Sequence, residues 1–415
     1  MQKKFKIVAL GCRTNQYEAQ AFRDQLEALG HRPAEEDEKA DIYVVNTCTV
    51  TESADASSRH QVRSFIRENP GAEVMVTGCL AERDPKSLES IEGVTKVVSN
   101  KDKEFLVAAL FPDEEVPEFA IRQFEAHTRA FVKVQDGCNS FCTYCIIPYV
   151  RGRSKSRSLD DILREIKTLV ENGFKEIVLT GINIGDFDGG DGSIRLHHLV
   201  RAVDKVEGVE RIRISSIDPD EVDDDLLDAV INGKKTCHSM HVVLQAGSNS
   251  ILKRMNRKYT KQIFFDTVRR LKAASPDFTF TTDVIVGFPG ETEADFEETV
   301  DALKTVRFTK VHTFPYSSRP RTKAATFTNK VPHELIRERK SRLLRLAEEV
   351  SYQLRNEYIG REMEILTENS DGNCAFGHTA NFLPVTIENV QVPSNQLVRV
   401  RLVGNTADSC LGELL

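Results

Sequence analysis

The chain has 415 residues, 40% hydrophobic and 29% charged, more than one hydrophobic core organises, so about two or three domains are expected. No run approaches the roughly 18 apolar residues a membrane span needs, and residues 1–6 lead into a strand-like segment without a signal-peptide pattern, so a cytoplasmic protein is expected, with no membrane partner. The net charge of -7, from 56 basic and 63 acidic side chains, excludes coating of nucleic acid through bulk charge and leaves room for local basic patches.

The first 111 residues alternate strand-like runs (6–10, 42–46, 73–77, 96–99) with helix-like stretches near 16–29, 52–68 and 102–110. This predicts an α/β domain over 1–111, a doubly wound parallel sheet whose function sits in the loops at the carboxyl ends of its strands. Cys12, Cys48 and Cys79 fall at or just past three such ends. The acidic, proline-bearing stretch 112–128 reads as a solvated linker.

Over 129–345 the alternation resumes, with strands near 131–135, 176–180, 210–215, 240–244, 279–286 and 309–314. Six βα units are too few for a complete eight-fold barrel and predict a partial (β/α)6 barrel. The helix after Ser158 shows the period well, with Leu159, Ile162, Leu163, Ile166, Leu169 and Val170 on one face. A charged helix near 332–358 leads out of the barrel, and short strands near 362–367, 374–377, 382–387, 397–403 and 409–414, with a turn at Asp371-Gly372-Asn373, predict a small β-barrel; 346–415 is read as connecting helix plus this domain.

Nine cysteines in a reducing compartment point to metal or redox chemistry rather than disulfides. The sharpest signal is Cys138-Asn-Ser-Phe-Cys142-Thr-Tyr-Cys145, a loop able to wrap three thiolates around one metal centre. Zinc wants four ligands, and no His or Cys lies within ten residues of the loop, His127 being eleven away. In a 4Fe-4S cluster three ligands leave one iron open to a small chelating molecule.

This Cx3CxΦC loop, at the end of a first barrel strand with Tyr144 in the aromatic position, resembles the radical S-adenosylmethionine (SAM) superfamily. The resemblance implies that the open iron binds SAM, and that one electron cleaves it to a 5′-deoxyadenosyl radical. Leu10-Gly11-Cys12-Arg13-Thr14-Asn15-Gln16-Tyr17-Glu18, Val45-Asn46-Thr47-Cys48-Thr49-Val50-Thr51 and Thr77-Gly78-Cys79 resemble the auxiliary motifs of the methylthiotransferases within it. Their three-part layout, ending in a TRAM β-barrel, matches essentially the whole chain. It implies two 4Fe-4S clusters, one on Cys138, Cys142 and Cys145 and one on Cys12, Cys48 and Cys79, while Cys237, Cys374 and Cys410 match no motif.

Of the segments that resemble SAM-contacting positions, the resemblance selects Gly181, Asn183, Ser215, Gln245 and Asp283. No catalytic group beyond the cluster ligands is implied. Implied partners are the anticodon stem-loop of tRNA, an electron donor and a sulfur source. The motif forms look most like the branch acting on N6-threonylcarbamoyladenosine at position 37; branches acting on N6-isopentenyladenosine or a ribosomal-protein aspartate, and a non-catalytic iron–sulfur RNA-binding redox sensor, are the alternatives.

Residues 116–360 hold 38 Lys/Arg against 35 Asp/Glu, with basic clusters at Arg151/Arg153/Lys155/Arg157, Lys253/Arg254/Arg257/Lys258/Lys261 and Arg319/Arg321/Lys323. Arg151, Arg153, Arg157 and Arg319 are therefore candidate tRNA contacts. Residues 361–415 carry three arginines against seven acids, so contact there should run through Arg399 and Arg401. One departure stands out: Arg321-Thr322-Lys323-Ala324 replaces the family's usual Gly-Thr-x-Ala, which puts the loop's backbone in question.

Overall fold

A computed structural model describes residues 2–124, 128–370 and 372–415. His127 and the Asp371 of the expected turn lie outside the described residues.

Strands β1 (Lys4–Ala9), β2 (Arg32–Pro33), β3 (Ile42–Thr47), β4 (Glu73–Gly78) and β5 (Lys96–Val97) form one parallel sheet in the order β2-β1-β3-β4-β5. Every residue of β3 is buried, because helices cover both faces of a parallel sheet. Phe22 and Leu26 of α1 (Arg13–Ala28) pack on one face, and Val62 and Phe65 of α2 (Glu52–Glu68) on the other. Thr51 caps α2 by accepting from the Ala54 amide.

The stretch expected to be a solvated linker is not one along 119–124. Ile121 and Phe124 are buried in the barrel's core, with Phe119 packed against it, and the Ile121 and Arg122 amides donate to the carboxylates of Glu165 and Asp24. The segment caulks the crevice between the first two domains; its apolar residues follow neither helix nor strand period.

The central domain has six parallel strands, β6 (Arg129–Lys133), β7 (Glu176–Thr180), β8 (Arg211–Ile214), β9 (Ser239–His241), β10 (Thr279–Val286) and β11 (Lys310–Pro315). Two three-stranded sheets, β8-β7-β6 and β9-β10-β11, are joined by the parallel bridges Ile212↔Thr236 and Ile217↔Val242. The result is a barrel left open between β6 and β11, and α1 lies across that edge, placing Tyr17 and Ala21 in the barrel's core. Helix α3 (Leu159–Glu171), capped by Ser158, buries Ile162, Ile166 and Leu169.

Helix α4 (His333–Asn356) runs from the barrel into the last domain. There β12 (Glu362–Ser370), β13 (Cys374–Thr379), β14 (Pro384–Glu388), β15 (Leu397–Asn405) and β16 (Cys410–Leu414) close a small barrel. It docks on the amino-terminal ends of the central strands. Arg211 and Arg213 donate to the carbonyls of His378 and Thr379 at 2.9 and 2.8 Å, and Thr279 to that of Asn381. Phe382, with φ 64°, lies under the guanidinium groups of Arg129 and Arg213 and stops the barrel's lower end.

Candidate functional site

The carboxyl ends of β1, β3 and β4 lead directly to Cys12, the N-cap of α1, to Cys48, and to Cys79, the first residue of the short helix Cys79–Arg83. Adjacent strands about 4.8 Å apart let cysteines 36 and 31 positions apart in sequence converge. Gly11, at φ 93°, is required here: a Cβ would stand 2.6 Å from the Cys48 sulfur. Asn15 ties two of the loops together, donating to the carbonyls of Leu10 and Thr47 at 2.6 and 3.1 Å. Ser58 further fixes the Cys48 turn by accepting from the Cys48 amide at 3.2 Å.

The loop after β6 carries Cys138, Cys142 and Cys145. The Cys138 amide donates to the Gly152 carbonyl and the Thr143 amide to that of Met255, while Arg257, paired with Asp218, donates to the Cys142 sulfur at 3.1 Å. All six cysteines line one cavity of about 540 Å³ at the carboxyl ends of the first domain's sheet and of the central barrel's strands. Burial pushes the Cys79 thiol up to about 12, and raises Cys48, Cys138 and Cys145 as well, so in the free chain these sulfurs hold their protons, which binding of a metal would displace.

Gly181, Asn183, Ser215, Gln245 and Asp283 line the same cavity. Gln135 accepts from the Ile182 and Asn183 amides at 2.9 and 3.0 Å, and Asn183 donates to Glu221 at 3.0 Å. Ser215 Oγ, Gln245 Oε1 and His241 Nε2 are buried polar atoms without a hydrogen-bond partner among the described residues. Such atoms, on the wall of a cavity that also presents two sets of three thiols, fit a polar ligand held beside iron–sulfur centres. A second, more apolar cavity of about 470 Å³ shares Cys12, Cys48 and Cys145 with the first and is walled by Val50, Tyr144, Ile285, Phe314 and Tyr316.

Three of the arginines expected on RNA are engaged within the protein. The Arg151 side chain has no exposed surface; it donates to Glu18, Asp136 and Asn15 at 3.0, 2.7 and 2.5 Å. Lys103 joins the same carboxylates at 2.5 and 2.8 Å. Arg157 is bound to Glu165, Tyr17 and the Lys133 carbonyl, and the buried Arg319 pairs with Asp55 at 2.7 Å. They lock the first domain onto the barrel instead of offering charge to phosphate. Arg153 is exposed and stacks 4.2 Å over Phe141; Arg399 and Arg401 are exposed, both bonded to Glu362.

Arg321 keeps the left-handed backbone that glycine would favour, at φ 73°, and its guanidinium lies 5.9 Å over the Tyr149 ring. Sequence reasoning assigned no role to Arg13, His241 or His312, all on the cavity wall. His241 and His312 lie at odd positions of two strands whose inward faces only the fold reveals; Arg13 could have been flagged as the charged residue beside Cys12.

The description "Radical SAM superfamily" matches residues 132–303, and "Uncharacterized protein family UPF0004" matches 4–99. Threonylcarbamoyladenosine tRNA methylthiotransferase MtaB of Chlamydia pneumoniae is 49% identical over 414 residues, covering 99% of this chain and 98% of that protein. The protein of the same name from Bacillus subtilis is 36% identical, covering 95% and 92%. A tRNA-2-methylthio-N(6)-dimethylallyladenosine synthase of Acetivibrio thermocellus is 36% identical, covering 88% and 81%. Among solved structures, the radical S-adenosylmethionine methyltransferase TsrM of Kitasatospora setae superposes with a TM-score of 0.55 at 13% identity, covering 76% of this chain and 72% of that one, which shows a shared fold. With two thirds of its cysteines gathered at one cavity and close relatives along nearly its whole length, the chain belongs to the radical SAM methylthiotransferase family.

Proposed function

We propose that this protein attaches a methylthio group to carbon 2 of N6-threonylcarbamoyladenosine at position 37 of tRNA. The observation that carries the reading is the convergence of Cys12, Cys48 and Cys79 with Cys138, Cys142 and Cys145 on one cavity, because sulfur delivery and radical formation must reach the same carbon. The names of the two most similar relatives given above support the threonylcarbamoyl substrate.

In this reading Cys138, Cys142 and Cys145 hold the 4Fe-4S cluster that cleaves SAM, and Cys12, Cys48 and Cys79 hold a second. When bound, these groups supply a radical able to take hydrogen from an unactivated C–H bond and a sulfur for the carbon left behind. The chain's own residues supply geometry. Gln135 fixes the Ile182–Asn183 turn, the unpaired Ser215 hydroxyl would donate to or accept from SAM, the unpaired Gln245 Oε1 would accept from it, and Tyr144, Phe314 and Tyr316 would keep water from the reacting carbon. We assign residues 1–111 to the auxiliary cluster, 129–345 to the radical chemistry and 346–415 to RNA. We place its action in the cytoplasm, where tRNA, an electron donor and a sulfur source meet; among the described residues no helix is long and apolar enough to cross a membrane.

The anticodon stem-loop has a receptive surface in a cleft of about 660 Å³ between the first domain and the barrel, where Lys101, Arg153 and Lys155 are exposed around Tyr149. The test is mass spectrometry of tRNA nucleosides from cells with and without the gene. Loss of only the 2-methylthio form of threonylcarbamoyladenosine is expected. Loss of the isopentenyl form instead would transfer the protein to that branch, and persistence of both would overturn a tRNA substrate.

A further inference from the structure

Arg13 is the first residue of α1, directly after Cys12, yet its guanidinium turns into the barrel and lies 5.4 Å over the Phe131 ring. Much of its surface is open, and the opening is the cysteine-lined cavity. Among the described residues it makes no hydrogen bond, and no carboxylate oxygen lies within 4.0 Å of its nitrogens.

The charged side chains nearest it make their closest contacts elsewhere. Arg129 pairs with Glu368 at 3.1 Å, Arg213 with Glu176 at 2.6 Å, and Asp283 faces His241 at 3.4 Å. Arg13 is the cation left over. The thiols of the auxiliary site have their own neighbour in Arg151, whereas the groups that act on Arg13 are Arg129, Arg213, Glu176 and Asp283 of the barrel. A guanidinium on a cavity wall with no direct ion pair keeps its donors free for a ligand, and its planar fork fits a carboxylate in a two-point contact.

We infer that Arg13 binds a carboxylate inside the cavity, and that this is the carboxylate of the amino-acid arm carried by the base, so that the residue selects anionic N6-substituted adenosines over apolar ones. The inference rests on the proposed function. SAM also carries a carboxylate, and the experiment separates the two.

The reconstituted holoenzyme is titrated, by fluorescence anisotropy, with an anticodon stem-loop RNA carrying threonylcarbamoyladenosine and with the same RNA carrying the threonine carboxamide. The wild type should bind the carboxylate form about ten-fold or more tightly, the worth of a charge-assisted pair. R13Q should bind the two RNAs alike, and R13K should restore part of the preference. Equal binding by the wild type, or a preference that R13Q leaves intact, would overturn the inference. SAM affinity by equilibrium dialysis is the second arm: weakened SAM binding in R13Q with an unchanged RNA preference would assign the carboxylate to SAM and overturn it too. The wild-type comparison stands even if R13Q fails to fold. A wild type that methylthiolates neither RNA defeats the proposed function, while product from both RNAs with equal affinity defeats only the role of Arg13.

Discussion

The Arg151 guanidinium, six residues past the last barrel cysteine, donates to the Glu18 carboxylate of the first domain at 3.0 Å, and neither side chain has exposed surface. Asp136 and Lys103 complete the network, directly beneath the auxiliary cysteines. One arginine thereby joins the loop that bears one cysteine set to the helix whose N-cap belongs to the other.

Removing one member of a buried ion pair leaves the other uncompensated, at a cost of about 3–5 kcal/mol. Arg151→Ala is expected to lower the unfolding free energy by that amount in denaturant titration. It should also reduce iron bound at the auxiliary site more than at the barrel site, read by iron analysis of Arg151→Ala in a background lacking either cysteine set.

Two buried carboxylates should give opposite pH dependences. Burial alone would raise Glu18, but Arg151, Lys103 and Lys133 outweigh it and hold it at about 2. Its contribution is thus present above the ordinary value near 4.5 and is lost as pH falls toward 2, by about 3 kcal/mol at most. Burial, with Asp218 adding repulsion, lifts Glu221 to about 7. There the folded chain binds the extra proton, so stability declines as pH rises from about 4.5 to about 7. Glu221→Gln should flatten that upper slope and leave the acid limb unchanged in denaturation curves from about pH 2 to about pH 8, which bracket both transitions.

The two cysteine sets should separate functionally. Cys142→Ala is expected to abolish 5′-deoxyadenosine formation, whereas Cys48→Ala should retain it and yield no methylthio product. Chromatography of the nucleosides after reduction with SAM distinguishes them; equal loss of SAM cleavage in both variants would contradict the division of labour.

Arg321→Gly should relieve a left-handed strain of about 1 kcal/mol, offset in part by glycine's freedom in the unfolded chain, so melting stability stays within about 0.5 kcal/mol of wild type. If the exposed guanidinium over Tyr149 contacts a phosphate, RNA affinity falls and the slope of log Kd against log salt drops by about one. An unchanged slope would remove Arg321 from the RNA surface.

What the sequence revealed depended on whether the interaction was local. The Cys138–Cys145 loop concentrates its chemistry in eight residues, and α3 announces itself through the apolar period that follows Ser158. Partners far apart left no trace. Arg151 in a run of basic residues reads the same whether solvated or bound to Glu18, 133 positions earlier. Likewise Ile121 and Phe124, in an acidic irregular stretch, gave no sign that Asp24 and Glu165 would satisfy the backbone around them and let it be buried. Placement of the small barrel under the central one depends on carbonyls at 378–381, which no side-chain pattern encodes.

That stopper, Phe382 and the loop around it, has a bearing on how truncations are to be interpreted. A chain cut before Arg361 would lose the small barrel proposed to meet RNA and, at the same stroke, uncover Arg129 and Arg213 at the lower end of the central barrel, letting solvent in from below. Its defect would then combine weaker RNA affinity with quenching of the radical, seen as SAM consumed without product. Point changes on the outer face of the small barrel, with Phe382 left in place, are what would isolate RNA recognition from containment.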